Sequence, residues 1–67
     1  MELLTEIEAA AVLNCTPSAL RRFRREKRGP RYAKIGRLIR YALSDVEAFV
    51  EENTFEMKHR EDIRLNV

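Results

Sequence analysis

Ten Lys and Arg residues crowd the positions from Arg21 to Arg40, with Glu26 the only acid among them. The segment carries a local charge of +9. The rest of the chain, with three Lys/Arg and ten acids, carries −7, and the formal net charge of +2 conceals this polarity. A dense cation cluster from which acids are excluded attracts a polyanion, so nucleic acid is the expected ligand class. Arginine forms bidentate bonds with guanine edges and with phosphate alike. Residue type alone therefore does not separate base readout from positioning on the backbone.

Other chemistries find little support. The chain has one His and one Cys, and no arrangement supplies a nucleophile with its base and orienter. His59 lies in a polar tail, and a metal site needs three or four ligands. Cys15 reads as a small turn-packing residue. The acids cluster at capped helix starts and on the outside of the third helix, where helix dipoles and solubility explain them. We expect no enzyme, cofactor or metal.

The elements that position the basic residues are short. Thr5-Glu6-Ile7-Glu8 has the form of a capping box and predicts a helix over about 6–13, with Ile7, Ala10 and Ala11 on its inner face. Asn14 tolerates a left-handed helix end. Only Asn14 and Cys15 separate that end from Thr16-Pro17, an N-cap followed by proline at the first helical position. Two helices joined so tightly must cross steeply, as in a helix-turn-helix. The second helix is expected over about 17–27, ended by Gly29-Pro30. Leu20 and Phe23 form its apolar edge, and Ser18, Arg21, Arg22 and Arg25 form a polar one. Arg24 and Lys27 read as solvent-side charges.

Residues 32–41 read as a hairpin with Gly36 at the turn. A two-residue turn at 36–37 would pair Ile35 with Leu38 and turn Arg40 inward. A three-residue turn of Gly36, Arg37 and Leu38 is therefore expected, with Lys34 and Arg40 facing solvent and Ala33, Ile35, Ile39 and Tyr41 facing in. Tyr32 and Tyr41 read as sheet residues. Ser44-Asp45-Val46-Glu47 is a second box-like start, predicting a third helix over about 45–52. The expected core is Leu20, Phe23, Ile35, Ile39, Val46 and Phe49. Residues 54–67 follow as a tail that could take further helical turns, a short strand or no fixed form.

The order helix, tight turn, helix, basic hairpin, helix predicts a mainly α fold with a small β-hairpin: a winged helix-turn-helix over 1–53. Its second helix would enter the major groove with Thr16, Ser18, Arg21, Arg22 and Arg25. Its hairpin tip would put Arg37 on the backbone or in the adjacent minor groove. Arg28, Arg31, Lys34 and Arg40, with Lys27, would meet phosphates. Sixty-seven residues make one small domain and contain no apolar run long enough for a membrane span. The acidic N-terminus lacks the pattern of a secretory signal. One Cys and no signal point to a reducing cytoplasm.

Several stretches also resemble a known family. The start LLTEIEAA, the helix TPSALRRF, the wing KIGRLIRY and the closing LSDVEAFV look, in that order and spacing, like the MerR-like winged helix-turn-helix of excisionases and AlpA-type regulators. The likeness covers about residues 3–52. It implies a recombination directionality factor that bends duplex DNA and helps integrase favour excision, or a small transcriptional regulator. The chain differs in having Asn14 where the family often has Gly, Cys15 where it has a β-branched residue, Phe23 in place of a common Trp, and Leu38 in place of a frequent basic residue. True MerR regulators carry a long dimerisation helix and an effector-binding domain after this unit, whereas this sequence runs to Val67, so no small-molecule effector is expected. Specificity needs more contacts than one such unit makes, so cooperative self-association on DNA is expected. A different class stays open: an interaction module whose basic face docks an acidic protein.

Overall fold

Residues 1–55 are described by the computed structural model. The order is β1 (Leu3–Leu4), α1 (Glu6–Val12), α2 (Pro17–Arg25), β2 (Ala33–Ile35), β3 (Leu38–Ala42) and α3 (Leu43–Glu52). Three helices pack around β1 and β3 of an antiparallel sheet of order β1-β3-β2, and β2 lies on its exposed edge. This is a winged helix-turn-helix, as expected. The alternatives considered for the tail lie outside the described residues from 56 onward.

Both ends of the helix-turn-helix are closed by local chemistry. The Thr5 side chain accepts the Glu8 N–H at 3.1 Å, and Glu8 returns the bond to the Thr5 N–H at 2.8 Å. Thr16 accepts the Ala19 N–H at 3.0 Å, with Pro17 directly after it. Two helices end in the same device. In α1, Asn14 N–H donates to Ala11 and Cys15 N–H to Ala10; in α2, Lys27 N–H donates to Arg24 and Arg28 N–H to Phe23. This double bond is a Schellman motif, which needs a left-handed residue after the cap. Asn14 (φ 57°) and Lys27 (φ 60°) supply it. Helix α2 therefore stops at Arg25, two residues before the predicted end, and its stop is Lys27 rather than Gly29-Pro30. Gly29 serves a different need: a Cβ there would lie 3.0 Å from Phe23 Cβ.

The core is Leu4, Ala9, Ala10, Leu20, Tyr41 and Val46, with Leu13, Cys15, Phe23, Ile39 and Leu43 packed against it. On α1 the buried stripe is Ala9, Ala10 and Leu13, not Ile7, Ala10 and Ala11. Ile7 and Ala11 share the outer edge, and Ile7 is 70% exposed. Two alanines facing inward let α1 approach α2 and β3 closely. Phe49, expected in the core, is half-buried and lies outside this cluster.

The hairpin departs from expectation. Ala33 pairs with Arg40, Lys34 with Ile39 and Ile35 with Leu38, so the turn is the two-residue Gly36-Arg37. Gly36 has φ 62°, the positive value that a type II′ hairpin turn requires at its first central position. Directly paired residues share a face. Lys34 therefore lies on the side of Ile39 and Tyr41, while Arg40 lies with Ala33, Ile35 and Leu38, so Lys34 and Arg40 do not share a solvent face. Arg40 escapes full burial because that side is largely open. Ala33 and Ile35 are exposed and belong to no core. Burial fixes register only where one face is covered, and β2 is exposed along its length. The glycine turn chose the register instead.

Two further differences share one cause. Strand β1 pairs Leu3 with Ala42 and Leu4 with Tyr41, and the Leu43 N–H donates to the Glu2 carbonyl at 2.9 Å. That bond occupies a donor at the start of α3, so the helix begins at Leu43 directly from the strand. Ala42 is its cap residue, and no side chain caps it. Ser44 falls inside the first turn and the second predicted capping box does not form.

Candidate nucleic-acid interface

The polar edge of α2 is assembled as its spacing predicts. Thr16, Ser18, Arg21, Arg22 and Arg25 are exposed and, with Ala19, line one shallow depression. Arg22 and Arg25 have no acidic partner among the described residues. The Arg22 guanidinium lies 5.9 Å from the Phe23 ring centroid. Arg21 is more constrained. It donates to Glu6 Oε1 at 3.0 Å and to Ser18 Oγ at 3.2 Å. Arg22, Arg24 and Arg25 occupy the last turn of α2, where the helix dipole favours cations.

Arg24 is not a solvent-side charge. Its Nη1 donates to Glu6 Oε2 at 2.6 Å and to the Tyr41 hydroxyl at 2.9 Å, and its guanidinium lies 5.6 Å from the Tyr32 ring centroid. Both Arg24 and Glu6 side chains are only 20% exposed. One arginine thus joins α1, α2, β3 and the segment leading into the hairpin. Burial opposes the Glu6 charge, but the hydrogen bonds and positive charges of Arg24 and Arg21 outweigh it. The carboxyl is held below its ordinary value of 4.5. The hydrogen bond to Glu6 in turn raises the pKa of Arg24. Tyr41 is fully buried with its hydroxyl engaged here, so it is neither a stacking platform nor a phosphate ligand. Glu6 does more than place a charge in the first turn of α1. A signal for this cluster was present in the spacing: Arg24 stands four residues after Leu20, on the side of α2 that faces the core.

The hairpin and its flanks divide into two groups. Lys34 and Arg37 are exposed without an acidic partner among the described residues. Arg40 is half-buried and donates to the Ile39 carbonyl at 2.8 Å. Arg28 instead pairs with Glu26 at 2.7 Å and lies 5.2 Å from the Phe23 ring centroid. Arg31 lies 4.0 Å from Asp45 and is 89% exposed. The uncompensated cations are therefore concentrated on the α2 edge and on the hairpin. Arg24, Lys27, Arg31 and Tyr32 line a shallow cleft between the two.

This arrangement can present one helix edge to a groove and one cationic ribbon beside it. No helix among the described residues is long and apolar enough to cross a membrane. Residues 3–54 match the model of a helix-turn-helix domain family. No curated protein matches the chain.

Proposed function

The chain belongs to this family of helix-turn-helix domains, small DNA-binding domains of excisionase and AlpA type, and from that premise we propose that it is an excisionase-like directionality factor. It binds duplex DNA, bends it and assists an integrase in excising a phage or mobile element. The observation that carries the DNA contact is the exposed row Thr16, Ser18, Arg21, Arg22 and Arg25 on one edge of a capped helix. That edge enters the major groove, where Arg22 and Arg25 are the candidates for base edges and Thr16 and Ser18 for the backbone. Lys34, Arg37 and Arg40 meet phosphates flanking the neighbouring minor groove. Arg28 and Arg31 are weaker phosphate contacts, because each must first leave an acid.

The five cations on the α2 edge and the hairpin that have no acidic partner among the described residues (Arg22, Arg25, Lys34, Arg37 and Arg40) set the expected salt dependence. The slope of log affinity against log salt is about −4.5, so raising salt from 50 to 200 mM weakens binding roughly 500-fold. Titration of a random duplex at both salts tests this. A flat response, or preference for an acidic protein over duplex, contradicts the reading. An AlpA-like regulator would use the same interface. A reconstituted recombination reaction separates the two, because only a directionality factor shifts the integrase product ratio towards excision. Cooperative binding of several copies on adjacent sites belongs to the same proposal and is read from the isotherm on a multi-site duplex.

A further inference from the structure

Ile35 and Leu38 form the last cross-strand pair before the Gly36-Arg37 turn. Each is 52% exposed, and they share the outward face of the hairpin. Neither contributes to the core. Arg40 shares their face, Arg37 sits in the turn beside them and Lys34 lies on the opposite face of the same strand; no acid occurs between Glu26 and Asp45. This apolar pair at the tip of a ribbon, with cations and no acid beside it, packs into no core among the described residues. The two-residue turn brings it there.

We infer that Leu38, backed by Ile35, is an apolar wedge that the hairpin inserts at a base step from the minor groove, kinking the duplex. This rests on the duplex-binding reading above and adds the device that performs the bending. A ribbon whose two backbones are about 4.8 Å apart is too wide to enter a minor groove of about 6 Å whole, so only the side chains at its tip go in, and the wedge itself opens the groove. The groove's negative potential attracts the flanking cations, which hold the tip against it. Leucine and isoleucine are among the side chains that wedge between bases in this way, opening kinks of about 20° or more. Charge selects this occupant over a second copy of the chain, whose own hairpin would bring the same cations. Two side chains also make a patch far smaller than the roughly 1,200 Å² that a stable protein interface buries.

The test uses the full chain and a duplex of about 30 bp made of alternating TA steps, which deform easily. Central adenines are replaced by 2-aminopurine and the ends carry a fluorescence donor and acceptor. At saturation the wild-type protein brightens the 2-aminopurine and shortens the end-to-end distance. Leu38→Ser loses both signals while the salt slope of binding is retained, because every cation remains. Leu38→Lys steepens the slope and still fails to unstack the step. Leu38→Thr, which keeps strand propensity, replaces Leu38→Ser if that variant melts early. The inference is overturned if the wild-type binds without unstacking, or if the Leu38 variants bend DNA as the wild-type does. It is also overturned if sedimentation shows a wild-type dimer that Leu38→Ser dissolves. Failure of the wild-type to bind any duplex overturns the DNA reading itself, which the titration detects separately.

Discussion

Replacing Glu6 by Gln should destabilise the domain at neutral pH and leave it little changed in acid. The substitution preserves shape and one oxygen acceptor but removes the charge shared by Arg24 and Arg21. The Arg24 pair is four-fifths removed from solvent and 2.6 Å long. A charge-assisted bond of that kind contributes about 1.5–3 kcal/mol. The Arg21 pair, with its guanidinium half exposed, adds about 0–1 kcal/mol. A loss of about 2 kcal/mol follows, which lowers Tm by roughly 8–16 °C in a domain of this size. The pH dependence has a definite sign. A carboxyl whose folded pKa is depressed stabilises the fold above its unfolded value, here 4.5, and loses that contribution as pH falls through the folded value. The gap between wild-type and Glu6→Gln should therefore be full at pH 7 and close below the folded pKa. Urea melts followed by circular dichroism at several pH values measure it, with Glu47→Gln as an exposed control. A difference under about 0.5 kcal/mol at pH 7, or an equal deficit at every pH, would refute the assignment of Glu6 as the anchor of Arg24. The same variant frees Arg21, so its affinity for random duplex should rise and its salt slope steepen.

Three other outcomes are expected. Arg25→Ala and Arg37→Ala should each weaken duplex binding and reduce the magnitude of the salt slope by about one, because each removes one uncompensated cation; filter binding across a salt series reads this. Leu20→Ala should cost about 2–5 kcal/mol in urea unfolding, a large part of the stability of so small a core, because Leu20 is fully buried between the helices and the sheet. Lys27→Gly should raise stability by roughly 0.5–1 kcal/mol in the same assay, because glycine accepts φ near 60° without the clash a Cβ brings.

The helix-turn-helix was legible because its signals are local. Thr5 with Glu8, and Thr16 with Ala19, are caps whose bonds span three residues, and Pro17 marks the second start. Asn14 announces a left-handed stop by its side chain. The face of Arg21, Arg22 and Arg25 follows from helical spacing once Leu20 and Phe23 mark the inside. Strand β1 was not legible, because two residues cannot show an alternation. The hairpin register was not legible from burial, because burial does not act on an exposed β2. The Ser44 box failed because a bond from Leu43 to Glu2, forty-one positions away, starts the helix early.

The sequence by itself determined the element order, the caps and the concentration of cations between Arg21 and Arg40, since each depends on neighbours within a helical turn or on charge count alone. Tertiary structure alone decided what the individual cations do. It drew Arg24 into a bond with Glu6 and Tyr41, left Arg22, Arg25 and Arg37 uncompensated, and put Ile35 and Leu38 at an open hairpin tip. The physical reason is that ion pairing and burial depend on distances across the fold. Residues remote in the chain approach one another only when α1, α2 and β3 close on a shared core.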